Sequence, residues 1–301
     1  MQKYRVYILP LAIVLGLFFH SHIKLLAWFT PYLIFIILFF TYSSLEVKKI
    51  RFSFFNLWLI LFQVLFSIVL YVVFKSFNNV LSEGIFITVL APTATSAAVV
   101  AVILGANLNT VGVYTLFSNF AVALIAPLYF TFMGGSSDFS FWQSFGSILA
   151  KISPILILPF LLAIFIQKVL PTFNAKIIKI QSISFYLWAM ALILVISKVM
   201  GFIFEENDFN YTFLLWAFFI TLIICIVQFS FGKYIGKRYG DAVAGSQALG
   251  QKNTVLAIWM AQTFLNPMSS IIPAMYVIIQ NSFNSYQLWQ KEINHRKQPL
   301  Q

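Results

Sequence analysis

The sequence predicts an all-α polytopic membrane protein with about ten transmembrane helices. Of its 301 residues, 61% are hydrophobic and only 9% are charged. Apolar stretches long enough to span a bilayer recur from one end to the other. Runs such as Trp28–Tyr42 and Tyr211–Ser230 are apolar on every face, whereas strands of a membrane β-barrel would alternate. The 35 Phe and 7 Trp residues suit lipid contact and interfacial anchoring.

The apolar stretches fall into two sets of five, numbered here as predicted spans 1 to 10. Spans 1 to 5 are Tyr4–Phe19, Leu25–Ser43, Phe54–Phe74, Val80–Leu104 and Val111–Met133. The segment Gly134-Gly-Ser-Ser-Asp138 has the composition of a turn-forming linker. Spans 6 to 10 are Phe141–Gln167, Ile183–Phe204, Tyr211–Tyr234, Asp241–Leu265 and Met268–Trp289.

The distribution of Lys and Arg supports this topology, because cytoplasmic loops of membrane proteins are enriched in both. On the side of the N-terminus lie 14 of the 19 basic residues: Lys3, Arg5, Lys48, Lys49, Arg51, Lys168, Lys176, Lys179, Lys233, Lys237, Arg238, Lys291, Arg296 and Lys297. The opposite loops hold Lys24 and Lys75, and the spans hold Lys151, Lys198 and Lys252. We therefore expect both termini to face the cytoplasm from a plasma (inner) membrane.

This topology accounts for the net charge of +11, so no nucleic-acid partner is needed to explain it. The basic start of span 1 is not followed by a small-residue cleavage site, which favours a retained anchor over a signal peptide. Cys225 is the only cysteine, so neither an intrachain disulfide nor a cysteine-based metal site is expected. No pattern specifies an oligomeric state.

Spans 4 and 9 are interrupted at corresponding positions of the two sets. Pro92 removes a backbone donor within Leu90–Ala98, and Gly250 is followed by three polar residues up to Asn253. Because five spans are an odd number, the second set has the opposite orientation, as in the inverted repeats of secondary transporters. The expected division is residues 1–133, residues 141–290 and a short cytoplasmic tail at 291–301. A purely structural Pro92 kink is the alternative for span 4.

Lys252 lies about 16 Å from the Asp241 end of span 9, at roughly 1.5 Å per residue. A lysine at that depth is a candidate functional residue. Half-helices beginning near Thr93 and near Lys252 would point the positive ends of their dipoles into one central space. The combination of these dipoles with the lysine favours an anion as cargo.

These residues resemble the bile acid:sodium symporter family, also called BASS or SBF-like, as a divergent bacterial-type member. Ala91-Pro-Thr-Ala-Thr-Ser-Ala-Ala-Val-Val100 is similar to the family's Pro-Gly-Gly-Thr-Ala-Ser-Asn-Val run in span 4. Gly250-Gln-Lys-Asn-Thr-Val-Leu-Ala257 is similar to its Glu-Val-Gly-Met-Gln-Asn-Ser-Gly-Leu-Ala run in span 9. Gln280-Asn281-Ser282 is similar to His-Asn-x-Ser in span 10. The resemblance covers nearly the whole chain.

The resemblance implies a panel domain of spans 1, 2, 6 and 7 and a core domain of spans 3, 4, 5, 8, 9 and 10, with spans 4 and 9 broken and crossing. Substrate would bind between the domains, and alternating access would move one against the other. The candidate substrate-binding residues are Thr93, Ala94, Thr95, Asn253, Thr254, Gln280 and Asn281. For Asn253, packing against a neighbouring helix is the alternative.

Sodium-coupled members use a glutamate and a glutamine in span 9 and a Ser-Asn pair in span 4. The matching residues here are Ala248, Lys252 and Ala97-Ala98, which supply none of the oxygen ligands that a hard cation needs. We therefore expect no metal site, no cofactor and no sodium coupling. Lys252, with Gln63 in span 3, is the candidate coupling residue, either as a fixed cation in place of sodium or as a proton carrier. A packing amide is the alternative for Gln63.

The predicted function is sodium-independent transport of a small organic anion across the lipid bilayer. Sodium coupling through unrecognised ligands and cation/proton exchange are the alternatives. Exchange is disfavoured because all eight acidic residues fall in loops or near span ends. An enzyme is disfavoured because the chain has no H-E-x-x-H pair and no G-x-S-x-G elbow.

Overall fold

The computed structural model of the chain describes residues 2–46, 50–133, 140–205 and 211–297, and within them the fold is all-α. The helices in order are α1 (Gln2–Phe18), α2 (His20–Ile23), α3 (Thr30–Ser43), α4 (Phe54–Lys75), α5 (Asn79–Leu90), α6 (Ser96–Leu104), α7 (Leu108–Met133), α8 (Phe141–Val169), α9 (Pro171–Lys179), α10 (Ile183–Glu205), α11 (Tyr211–Arg238), α12 (Ala242–Gly250), α13 (Thr254–Phe264) and α14 (Ile271–Lys297). Short 3₁₀ helices precede α3 at Lys24–Phe29 and α14 at Pro267–Ser270.

Six helical stretches in the described part of the chain are long and apolar enough to cross a membrane. They are Leu25–Ser43, Phe54–Lys75, Leu108–Met133, Phe141–Val169, Ile183–Glu205 and Thr212–Arg238. Two shorter helices, α5 and α13, are also apolar. The expectation of an all-α membrane protein is thus confirmed. The predicted linker at Gly134–Asp138 lies outside the described residues.

Local sequence explains where several of these helices begin and end. Ser140 and Gln143 form a capping box at the start of α8. Asn78 caps α5 by accepting from the Leu81 amide, and Asp241 caps α12 by accepting from the Ala244 amide. α14 continues to Lys297, so most of the predicted tail at 291–301 is helical, and residues 298–301 lie outside the described part.

Helices α3, α7, α8 and α10 surround one large apolar core, and the small residues of α11 and α12 form a second close contact. Gly232 and Gly236 of α11 face Gly245 of α12 so closely that a Cβ on any of them would overlap the opposite backbone. Small residues permit this approach between membrane helices. The α11–α12 pair is thereby a tightly packed support for the chain that follows α12.

Two non-helical connectors interrupt the regions of predicted spans 4 and 9. α5 ends at Leu90 and α6 begins at Ser96, which leaves residues 91–95 as the first connector. α12 ends at Gly250 and α13 begins at Thr254, which leaves residues 251–253 as the second connector. The second half-helices therefore begin a few residues later than the predicted starts near Thr93 and Lys252.

Candidate functional site

The two connectors pair with each other as antiparallel extended chains. Thr93 and Lys252 form an isolated β-bridge. The Ala94 amide donates to the carbonyl of Gln251 over 2.9 Å, and the Asn253 amide donates to the carbonyl of Pro92 over 2.8 Å. These bonds satisfy backbone groups of the two non-helical connectors that would otherwise lack partners.

The side chain at the centre of each connector binds the carboxyl end of the helix that precedes the other connector. Lys252 Nζ donates to the carbonyl of Val89, near the end of α5, over 2.8 Å. The Thr93 hydroxyl donates to the carbonyl of Ala248, near the end of α12. Lys252 is 1% exposed and Thr93 is fully buried. The same difference in residue number separates Thr93 from Lys252 and Val89 from Ala248. The two bonds therefore join equivalent positions of the two connectors and their preceding helices.

The equivalence extends to the helices that support the connectors. Ser118 of α7 accepts from the Thr93 amide over 3.3 Å. Gln280 of α14 accepts from the Lys252 amide over 2.8 Å and donates to the Lys252 carbonyl over 3.2 Å. Each central residue is thus held by a side chain from the helix that follows its own pair of half-helices.

A tyrosine and a glutamine complete the capping on each side. Gln63 of α4 donates to the carbonyls of Leu90 and Ala91 at the end of α5, and it accepts from the Tyr114 hydroxyl over 2.8 Å. On the other side, the Tyr276 hydroxyl donates to the carbonyl of Gly250 over 2.7 Å. Gln228 of α11 donates to the Tyr276 oxygen over 3.0 Å.

Gly250 allows the end of α12 to lie against α11. A Cβ at Gly250 would overlap the ring of Phe229, so a larger residue would displace the second connector. Pro92, the other residue predicted to break a helix, contributes its carbonyl to the amide of Asn253. Both predicted break residues therefore lie at the junction, the name used below for the paired connectors with the helix ends that adjoin them, although they act through different contacts.

A cavity of about 530 Å³ adjoins the connectors. One wall is formed by the connectors with the starts of α6 and α13 and part of α14, and the other by α3 and the segment from α9 to α10. The lining comprises Ile34, Ile37, Thr41, Ala94, Thr95, Ser96, Val99, Val100, Ile178, Lys179, Gln181, Ser182, Ser184, Phe185, Trp188, Gln251, Lys252, Asn253, Val255, Gln280 and Asn281. This volume lies in the range of small-molecule sites, roughly 300 to 1,000 Å³.

Five of the seven candidate substrate-binding residues line this cavity, namely Ala94, Thr95, Asn253, Gln280 and Asn281. Thr93 and Thr254 are not in the lining and are buried. Asn253 caps α13 by accepting from the Leu256 amide. Asn281 donates to Val277 in its own helix, and Gln280 is bonded to the Lys252 backbone.

Residues at the family's sodium positions provide no ligand cluster. Ala97, Ala98 and Ala248 are buried and have no side-chain oxygen. Among the described residues, no group of three or more His, Cys, Asp or Glu could hold a metal ion. Lys252 and Gln63, the candidate coupling residues, instead donate to successive carbonyls at the end of α5.

The carboxyl ends and the amino ends of the helices at the junction have different surroundings. The carboxyl ends of α5 and α12 are directed to protein donors, as described above. The amino ends of α6 and α13 border the cavity through Ser96, Asn253 and Val255. Since the amino end of a helix carries a partial positive charge, the cavity is favourable to negative groups on this wall.

Sequence reasoning did not identify Tyr114, Ser118, Tyr276 or Gln228. A signal was present, because Tyr114 and Ser118 are four apart in span 5, as Tyr276 and Gln280 are in span 10. Residues four apart lie on one helical face. It also did not identify the wall contributed by Lys179, at the end of the amphipathic helix α9, and by Gln181 and Trp188, which follow it.

No protein-family model matches the chain, and no curated protein matches it. The fold therefore defines the class: an all-α, membrane-embedded protein with two bonded connectors beside a cavity.

Proposed function

We propose that this protein is a secondary transporter of an organic anion, acting by alternating access across the plasma membrane as in the bile acid:sodium symporters. The observation that carries the proposal is the polarity of the junction. Two helix amino ends border a cavity of ligand size, while the carboxyl ends beside them are bonded to protein donors, one of which is Lys252. Such a site attracts an anion without a bound metal cation.

In this proposal the chain has ten spans in two inverted five-span repeats, with spans 4 and 9 broken. The equivalent bonds of Thr93 and Lys252 support the repeats, as do the equivalent backbone bonds of Ala94 and Asn253. A common ancestry of the two halves would produce such matched contacts, since each connector would inherit the same partners. Transport would then proceed by motion of α3 and the α9–α10 segment relative to the junction.

Lys252 takes the place of a sodium ion in this mechanism. Its Nζ donates to Val89 at the end of α5, where a cation complements the negative end of the helix dipole. A covalently attached cation cannot be lost to solvent, so sodium is not required for this capping. Transport is then either uncoupled or coupled to a proton carried by Lys252.

The test is uptake of labelled organic anions into proteoliposomes under a sodium gradient, a proton gradient or neither. Uptake that is indifferent to sodium supports the proposal, and accumulation driven by protons assigns coupling to Lys252. Lys252→Gln should then abolish the pH dependence. Sodium-driven accumulation would contradict sodium independence and show that sodium binds through other groups. Absence of saturable flux for every anion would contradict the transporter itself.

A further inference from the structure

We infer that Lys179 is the residue that recognises the charge of the transported anion, so that the cargo bridges the α9–α10 wall and the junction. The inference rests on the proposed function and goes beyond it, because neither the resemblance nor the break residues assign a role to Lys179.

Two lysines line the cavity, and only one has a free amino group. Lys252 is 1% exposed, and its Nζ is bonded to the Val89 carbonyl. An anion that drew this group away would leave a buried carbonyl without a partner, which is costly in a dry environment. Lys252 therefore sets the polarity of the junction without being a contact for cargo.

Lys179 is in the opposite situation. It lies in the last turn of α9, is exposed, and makes no hydrogen bond or ion pair with any described residue. None of the described residues that line the cavity is acidic, so no carboxylate of that lining neutralises its charge. Within the described lining, Lys179 is thus the cation that an anion can approach.

The rest of that wall indicates the kind of anion. Phe185 and Trp188 are half-buried aromatic residues of α10 on the cavity surface, and Ser182 and Ser184, which lie between Lys179 and Trp188 in the sequence, also line it. An apolar or aromatic body can pack on the two rings while its acidic group binds Lys179. The cavity is also too large for a small inorganic anion alone. The substrate class is therefore a monoanion with an apolar body.

Lys176 provides a matched control within the same helix. It is exposed and lies one turn before Lys179, but it does not line the cavity. Both lysines lie in the last turn of α9 and are exposed, so a general effect of surface charge would be similar for both. A site-specific effect should appear only with Lys179.

The first experiment needs no knowledge of the substrate. A single reporter thiol is created by Val99→Cys, on the opposite wall of the cavity, in a Cys225→Ala background. Its reaction rates with anionic (sulfonatoethyl) and cationic (trimethylammonioethyl) methanethiosulfonates are measured with and without Lys179→Gln. We expect the anion-to-cation rate ratio to fall by roughly threefold or more, because a unit charge is weakly screened inside a cavity.

Lys176→Gln should leave this ratio unchanged, and Lys179→Arg should retain it. Equal effects of Lys179→Gln and Lys176→Gln, or no effect of either, would overturn the inference. Because each variant keeps an exposed polar side chain on α9, unfolding is not expected, and purified yield by size exclusion verifies this.

The second experiment measures uptake of labelled benzoate, phenylacetate and indole-3-acetate, each compared with its neutral amide. Wild type should prefer acid to amide, and Lys179→Gln should remove most of that preference while Lys176→Gln keeps it. An unchanged preference in Lys179→Gln overturns the role of Lys179. If no anion is transported at all, the proposed function fails. The thiol reaction rates still decide whether Lys179 sets the electrostatic potential inside the cavity.

Discussion

The first and second connectors have the same bonding scheme but differ in the side chain at its centre. Thr93 reaches Ala248 with a short neutral hydroxyl, whereas Lys252 reaches Val89 with a long basic side chain. Their supports differ too, since Ser118 makes one bond to Thr93 and Gln280 makes two to Lys252. The connector that carries the amine is thus also the one whose central residue has both its amide and its carbonyl bonded to a supporting side chain.

This difference indicates that a lysine is not required simply to satisfy the carbonyl at the end of the neighbouring helix. Thr93 shows that a hydroxyl is sufficient to satisfy the equivalent carbonyl, and a hydroxyl is far easier to bury than a charge. An amine at 252 therefore adds something that capping does not need, namely positive charge at one end of the junction. The predictions below test this asymmetry, beginning with the largest expected effect.

Lys252→Met should reduce anion uptake by at least about tenfold, whereas Thr93→Val should reduce it by about threefold. A hydrogen bond from a charged donor contributes about 1.5–3 kcal/mol and a neutral one about 0.5–1.5 kcal/mol, and about 1.4 kcal/mol corresponds to a tenfold change. Initial rates in proteoliposomes at equal protein incorporation measure the difference. Thr93→Ser, which keeps the hydroxyl, is the control. Equal losses at the two positions would remove the functional asymmetry.

Gln63→Leu should destabilise the protein by about 2 kcal/mol, whereas Gln228→Leu should change its stability by less than about 0.5 kcal/mol. Gln63 donates directly to the carbonyls of Leu90 and Ala91, so its loss removes that donor from both carbonyls and removes the acceptor of the Tyr114 hydroxyl. Gln228 acts only through Tyr276, and its own Oε1 has no partner. Unfolding midpoints in one detergent should show the difference. A larger shift for Gln228→Leu would contradict this order.

The all-α membrane fold was predictable because hydrophobicity over the length of a bilayer is a strong and local signal. The residues at which the half-helices begin and end were harder to predict from the sequence. The helix after Pro92 begins at Ser96, because residues 91–95 bond to a strand-like segment that is distant in sequence. No local propensity contains information about that partner.

The site was predictable where polar residues interrupt an apolar span, as at Thr95, Asn253 and Lys252. The orientation of the side chains was not predictable. Lys252 lies beside the cavity, but its Nζ points to the carbonyl of Val89. The same limit applies to Thr93, whose hydroxyl is turned to Ala248 and away from the cavity surface. The wall around Lys179 was missed because a basic residue in a predicted cytoplasmic loop has an ordinary explanation in the predicted topology.

Gln280→Leu should destabilise the protein by about 1–1.5 kcal/mol, more than Ser118→Ala, for which about 0.5 kcal/mol is expected. Gln280 satisfies both backbone groups of Lys252, whereas the Ser118 bond to Thr93 is single and long at 3.3 Å. Thermal unfolding gives the stabilities, and trypsin cleavage after Lys252 gives a local measure of backbone exposure. Faster cleavage in Gln280→Leu but not in Ser118→Ala is the expected result. Identical behaviour would show that Gln280 does not hold the second connector.

The smallest difference in stability is expected between substitutions of two carboxylates, Asp241 and Glu83, which accept hydrogen bonds away from the connectors. Asp241 accepts from the amides of Ala244 and Asn107, and Glu83 accepts from the amide of Asn266. The bonds to Asn107 and Asn266 are exposed, so water can replace the lost partner. Asp241→Ala should therefore destabilise by about 1 kcal/mol through loss of the helix cap, and Glu83→Ala by about 0.5 kcal/mol.

Asp241→Asn separates the two contributions of that carboxylate, because an amide oxygen can still accept from the Ala244 amide at the start of α12. It should recover more than half of the loss seen in Asp241→Ala, as measured by the unfolding midpoint. If Asp241→Asn is instead as unstable as Asp241→Ala, the negative charge at the amino end of α12 matters more than the cap. The helices before the two connectors would then differ in charge at their amino ends, where Asp241 caps α12 and Asn78 caps α5. The connectors themselves already differ in charge, since Lys252 pairs with Thr93.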